Sequence, residues 1–232
     1  MRWHLSLVIN REIVMNTPPY QPSHQTGMLW FAKDLPNICS LAGLLAALLG
    51  IYFSILQHFS IAVIAMIWAV LFDWGDGIIA RGMKGRTDEY RAFGAQLDSL
   101  IDIVSFGICP AVFLLSYGEF SPWFLPGAFV IVATGAIRLS YFNIFGLVDN
   151  STYMGLALDN NVIIFAFVFL FDGFFSQPVF SAIIYTMFMF MAAFNLAPVR
   201  TPKFTGRWFH VLTVYTLVLT VIHGWILWSR FQ

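Results

Sequence analysis

Four aspartates, Asp73, Asp76, Asp98 and Asp102, stand in or at the edges of apolar sequence, where charge is costly. Asp73, Asp76, Gly77, Ala80 and Arg81 fall at i, i+3, i+4, i+7 and i+8, one stripe of a helix. Gly94, Asp98 and Asp102 fall at i, i+4 and i+8, again one stripe. Two such helices, joined by the short basic stretch 82–92, run antiparallel, so the stripes face each other and four carboxylates converge. Like charges so placed repel and need a partner. A divalent cation supplies one. Carboxylate oxygens, with no His or Cys in either stripe, suit the hard ions Mg²⁺, Mn²⁺ or Ca²⁺ rather than zinc. Four carboxylates can hold two ions, an arrangement that favours displacement at phosphorus. Gly77, Ala80 and Gly94 remove bulk beside the carboxylates, so a phosphate or nucleotide can approach the backbone. Spacing alone leaves a second reading open, an ion or proton path through a membrane.

Such stripes need long apolar helices to carry them. The chain is 59% hydrophobic and only 10% charged, against roughly a quarter charged in soluble domains. It reads as an all-α, polytopic membrane bundle. Stretches near the length of a bilayer span recur at about 35–56, 60–82, 93–117, 122–146, 155–173, 178–197 and 208–229. The connections are short and leave no room for a soluble domain. With the N-terminus in the cytoplasm, loops 82–92 and 198–207 carry Lys84, Arg86 and Arg91, and Arg200, Lys203 and Arg207. The loops on the other side hold no Lys or Arg, as the positive-inside rule requires. A formal net charge of zero argues against a nucleic-acid partner. Residues 1–16 lack the long apolar core of a secretory signal. "GMLWFAKDL" suggests a short interfacial helix with Trp30 and Phe31 at headgroup level. Cys39 and Cys109 lie in apolar segments and read as structural thiols. His210 and His223 read as interhelical or interfacial groups.

"DWGDGIIAR", twelve residues, then "GAQLDSLID" reads as D-x-x-D-G-x-x-A-R followed by G-x-x-x-D-x-x-x-D. These eight fixed positions resemble the signature of the CDP-alcohol phosphotransferase family, and Pro36-Asn37 resembles its upstream pattern. The resemblance covers roughly 34–205. Within the family, "AFGAQLDSLIDIVSFGICPAVFL", "IRLSYFN" and "APVRTPKF" look most like the integral-membrane phosphatidylserine synthases.

The resemblance implies a six-helix core at 34–205, preceded by a tail at 1–33 and followed by an additional span at 206–232. It also implies a homodimer embedded in membrane lipid, in the inner or plasma membrane of a prokaryote, with its polar site facing the cytoplasm. Such enzymes move phosphatidyl from CDP-diacylglycerol to a small alcohol and release CMP. By position, Asp73, Asp76 and Asp98 would bind Mg²⁺ or Mn²⁺, a two-ion site that Ca²⁺ would fill unproductively. Asp102 would touch a metal and act as general base. Asn37, Gly77, Ala80, Arg81 and Gly94 would serve the nucleotide and phosphates.

One departure bears on the acceptor. Where the synthases carry a proline-containing segment, this chain has "YMGLALDNNVIIF". Asp159 and Asn160 there either cap a helix or face the amine of serine, ethanolamine or choline. Arg138 suits a phosphate, the carboxylate of serine or an internal ion pair. Arg200 and Lys203 suit an anionic headgroup or serve as ordinary inside charges. Serine is the first expectation for the acceptor. Choline, another small alcohol, or transfer from a soluble CDP-alcohol to a lipid hydroxyl stay open, with a cation transporter as a remote alternative.

Overall fold

The computed structural model describes residues 27–146, 152–202 and 207–229. Two helices open the chain: α1 (Met28–Ala32) and α2 (Leu35–Ile55). The α2 helix begins with Pro36 in its first turn, where a missing N–H costs nothing. The long α3 (Phe59–Gly82) follows, then α4 (Asp88–Asp102), which continues through a π-helical turn (Ile103–Ile108) into α5 (Cys109–Tyr117). The remaining helices are α6 (Leu125–Phe145), α7 (Leu158–Phe169), α8 (Gln177–Leu196) and α9 (Arg207–Ser229). Five runs are long and apolar enough to cross a bilayer: Leu35–Ile55, Phe59–Gly82, Asp88–Tyr117, Pro122–Phe145 and Gln177–Leu196. Leu45, Phe129, Phe190 and Val221 stand more than half exposed on the outer surface. A face of that kind is stable against lipid tails, not water. The protein is a polytopic helical membrane bundle.

Lipid tails are as apolar as leucine, so these helices associate through close packing. The buried face of α2 is a ladder of small residues, Ser40, Gly43, Ala46, Ala47, Gly50 and Ser54, laid against α3. A Cβ at Gly50 would stand 2.8 Å from Cys109 Sγ. Beyond this ladder the core is aromatic. Phe113 meets Phe165 at 4.8 Å and Phe59 at 5.3 Å between ring centroids, both edge-on. Each such pair contributes about 0.5–1.5 kcal/mol beyond simple burial. His223 on α9 is buried and hydrogen-bonds the Ala166 carbonyl at 2.9 Å, the interhelical role expected of it. Both cysteines are free thiols.

One expectation changes. The stretch 155–173 has the length of a span, but α7 has only 12 residues, about 18 Å at 1.5 Å per residue. It is bounded by Gly155 and by a 3₁₀ turn at Asp172–Phe174. Its Val162, Phe165 and Ala166 are wholly buried in the protein core, while Ile164 and Phe167 are exposed on its outer face. In the interfacial helix, Trp30 is exposed, but Phe31 is half-buried against Tyr90 and Phe93 of α4, with centroids at 4.9 and 5.1 Å. Phe31 docks α1 onto the bundle.

A short antiparallel pair, β1 (Thr152–Met154) with β2 (Arg200–Pro202), ties the α6–α7 connection to the α8–α9 connection, Met154 opposite Arg200. It lies at the same end of the bundle as the α3–α4 loop. Gly155 follows at φ +73°, and a Cβ there would fall 2.1 Å from the Asn195 carbonyl oxygen. Thr201 Oγ1 donates to the Gly155 carbonyl at 2.5 Å. Gly155→Ala is therefore expected to destabilise the protein by about 2 kcal/mol or more. A thermal melt in detergent checks this, and an unshifted midpoint would mean the turn relaxes freely.

Candidate active site

The α3 helix carries Asp73 and Asp76 toward its C-terminal end, and α4 returns from the α3–α4 loop with Asp98 and Asp102. Thr87 caps α4, its hydroxyl accepting from Tyr90 N–H at 3.4 Å, with Asp88 and Glu89 in the first turn, the favourable sign for a helix start. The π turn begins immediately after Asp102. Such turns recur at functional sites because they re-aim the residues beside them.

One carboxylate oxygen from each of Asp73, Asp98 and Asp102 lies within 4.8 Å of the others. All three are half-buried. The charged groups acting on Asp73 are Asp102, Asp159, Asp98 and Asp76, all acidic. Asp76 turns away from this trio. It is buried and accepts a short hydrogen bond from the Ser40 hydroxyl of α2. Three residues advance a helix by about 300°, so Asp76 leans toward α2 while Asp73 leans toward α4 and α7. Asp76 still interacts electrostatically with Asp98 and with Arg81. The guanidinium of Arg81 lies over Gly77, where a Cβ would sit 3.2 Å from its Nη1. The sequence placed four carboxylates in one volume; the structure divides them into a trio and a satellite.

Beside Asp76 and Asp98 opens a cavity of about 200 Å³, with Asn37, Gly77, Ala80 and Gly94 also in its wall. Four of the five expected nucleotide residues thus line one space, and Arg81 is not among its lining residues. Arg86 and Arg91 line it too. Sequence reasoning counted both only as loop charges, and neither has a spacing signal.

Asp159, in the first turn of α7, does not cap that helix, since the N-cap position is Ala157 and no side chain caps it. Its Oδ2 instead accepts from Trp74 Nε1 at 2.8 Å, and the carboxylate acts on both Asp73 and Asp102. The structure thereby adds a fifth acidic group at the edge of the trio. Asn160 is half-buried beside it. Asn161 is buried and donates to the Asn195 amide oxygen at 2.8 Å, with that amide oriented to satisfy both residues.

Arg138 is buried on α6. One turn earlier on the same face, Gly135 packs toward Ile103 and Leu158, the neighbours of Asp102 and Asp159. Further along α6, Asn143 Oδ1 accepts from Ser99 Oγ of α4 at 3.0 Å. Arg138 therefore lies on the α6 face directed at the carboxylate region. Arg200 is exposed in β2, and Lys203 lies outside the described residues.

Comparison with known proteins gives the site a context. A family model described as CDP-alcohol phosphatidyltransferase matches residues 33–231. The chain is 39% identical over 111 residues to the archaetidylserine synthase of Methanothermobacter thermautotrophicus, covering 47% of each chain. It is 26% identical over 191 residues to the CDP-diacylglycerol–serine O-phosphatidyltransferase of Methanocaldococcus jannaschii, covering 82% of this chain and 86% of that one. A protein of the same name from Helicobacter pylori is 30% identical over 112 residues, covering 47% of this chain and 45% of that one. The chain spans about half the length of the first and third of these relatives and most of the second.

Proposed function

The chain belongs to the CDP-alcohol phosphatidyltransferase family, and from that premise we propose that it moves the phosphatidyl group of CDP-diacylglycerol to the hydroxyl of serine and releases CMP. The observation that carries this reading is the trio of carboxylates within 4.8 Å, opening beside a cavity lined by Asn37, Gly77, Ala80 and Gly94. The names of the relatives support serine as acceptor.

The donor set fits a hard divalent ion: oxygen ligands only, converging, with acidic neighbours around Asp73. Asp73, Asp98 and Asp102 would hold Mg²⁺ or Mn²⁺, with Asp76 extending the set toward a second ion. A bound ion would supply positive charge to offset that of the pyrophosphate and of the departing CMP.

The chain's own residues do the rest. Asp102 takes the proton of the acceptor hydroxyl. The hydroxyl oxygen then bonds to the phosphatidyl phosphorus as the bond to the CMP oxygen breaks, and the electron pair leaves with CMP. Ser40 holds Asp76 in place. Arg81 offsets part of the negative charge at Asp76. Asp159, held by Trp74, receives the ammonium of serine, and Arg138 faces its carboxylate, with Asn160 at the rim. Arg200 would meet an anionic headgroup, the role also expected of Lys203. The site faces the cytoplasm, as the basic loops require, and the protein works as a homodimer with its lipid-facing helices in the plasma or inner membrane of a prokaryote.

Incorporation of radiolabelled serine into lipid by purified protein, with CDP-diacylglycerol and Mn²⁺, tests the reading. Asp159→Asn is expected to raise the KM for serine about tenfold or more, the effect of losing one charged hydrogen bond, while leaving CMP affinity unchanged. An unaltered KM would remove Asp159 from the acceptor site.

A further inference from the structure

A second cavity, of about 330 Å³, lies between α1 and the α3–α4 loop. Trp30, Lys33 and Asp34 form one wall, and Lys84, Gly85 and Arg86 the other. It shares only Arg86 with the cavity beside Asp76 and Asp98, and no residue given a role in the reaction above lines it. Arg86 Nη2 lies 2.6 Å from Asp34 Oδ2, and both side chains are buried, so these two charges offset each other. Two lysines remain. Lys33 and Lys84 are exposed and form no ion pair among the described residues. Lys33 Nζ stands 5.7 Å from the centre of the Trp30 indole, which holds the ammonium at the rim. A left-handed turn at Gly85 (φ +82°) follows Lys84. The cavity thus carries the charge of its two lysines.

The position of this charge says what it meets. Asp34 is the N-cap of α2, and Gly82 ends α3, two helices long and apolar enough to cross a bilayer. A cavity at the ends of two spans stands at the level of lipid headgroups. Beside it, α1 turns Met28, Leu29 and Trp30 outward at 84%, 79% and 56% exposure. Apolar surface of that kind, next to lysines, is stable in a membrane interface and not in water. A soluble anion would use the lysines alone. A phospholipid uses the lysines and the apolar flank together.

We propose that this cavity holds the headgroup of an anionic phospholipid, with its phosphodiester between Lys33 and Lys84 and its acyl chains beside Met28 and Leu29. A zwitterionic lipid fits poorly, because its own ammonium group meets the two lysines. Lipid held there ties α1 to the α3–α4 loop. The tie continues into the bundle. Phe31 packs on Tyr90 and Phe93 of α4, and its carbonyl accepts from Asn37 Nδ2 at 2.8 Å. Lys33 and Lys84 are lipid-binding residues with no part in the chemistry.

The test is equilibrium binding of fluorescent phosphatidylglycerol to the purified full chain in a neutral detergent with chelator. Without ions the carboxylate trio stays negative and repels a second anion, so binding there does not confuse the reading. The wild type is expected to take up phosphatidylglycerol saturably, about thirtyfold tighter than phosphatidylcholine with the same chains. Lys33→Gln and Lys84→Gln are each expected to weaken it about fivefold, and the two together about thirtyfold, with phosphatidylcholine unaffected. Lys33→Arg with Lys84→Arg keeps both charges and is expected to bind as the wild type does. Saturating phosphatidylglycerol should raise the melting midpoint of the wild type and not that of the double Gln variant. Equal affinity for the two lipids, or a double Gln variant that binds as the wild type does, would overturn the proposal. Displacement of the lipid by an equal concentration of inorganic phosphate or glycerophosphoglycerol would make the ligand a soluble anion and overturn it as well. None of these readouts involves serine or CMP, so the lipid site and the reaction above fail separately.

Discussion

Asp102→Asn is expected to lower CMP release from CDP-diacylglycerol by about a thousandfold while donor affinity stays within a few fold. The amide keeps the shape of the side chain and one oxygen but cannot accept the acceptor's proton. Asp102 ends α4 just before the π turn, in contact with Asp73 and within reach of Asp159. The proposed acceptor side and the ion-binding trio thus meet at this residue, and an unprotonated base is needed there. Single-turnover assays with saturating donor separate chemistry from binding. Equal loss of donor affinity and turnover would make Asp102 chiefly an ion ligand and send the search for the base to Asp159.

Asp73→Asn is expected to act in opposite directions on two properties. Activity falls at least about a hundredfold, because the trio loses a charged ligand. In metal-free detergent solution the same variant should unfold at a higher temperature than the wild type, by about 1–2 kcal/mol of stability. The reason lies in the neighbourhood: the charges acting on Asp73 are Asp102, Asp159, Asp98 and Asp76, so removing its charge relieves repulsion on every side. Saturating Mn²⁺ should reverse the order, since only the wild type then gains the full binding energy of the ion. Melts with chelator and with Mn²⁺ check this. A variant less stable than the wild type in both conditions would mean that the carboxylate holds the fold by hydrogen bonding and not the ion.

The parts legible in the sequence were those governed by helical period. The stripes of α3 and α4 follow from spacing alone, and so does the facing of Asp73 with Asp98 and Asp102, because a short loop forces the two helices to be neighbours. Gly94 entered through its place on the stripe with Asp98 and Asp102 and Asn37 through motif resemblance, and the structure places both on one cavity. What period cannot show is the lean of a side chain within its stripe, which sends Asp76 to Ser40. Nor can it show contacts made across long sequence separation. Trp74 reaches Asp159 across 85 positions, and the β1–β2 pair joins connections that sequence reading treats as separate loops. The same limit applies to α7, whose apolar run has the composition of a full span but only 12 helical residues, with one face wholly buried at Val162, Phe165 and Ala166. Arg86 was hidden for an electrostatic reason. In a basic loop it reads as an orientation signal, and only the partner Asp34, from the segment before α2, shows that it is buried.

CMP release from CDP-diacylglycerol by the purified protein in detergent with Mn²⁺ tests the central claim most directly, run against serine, choline, ethanolamine, inositol and glycerol phosphate. The account predicts release that depends on serine and stops with chelator. Release that depends on another of these alcohols would contradict the acceptor assignment, and no release with any of them would contradict the proposed reaction itself.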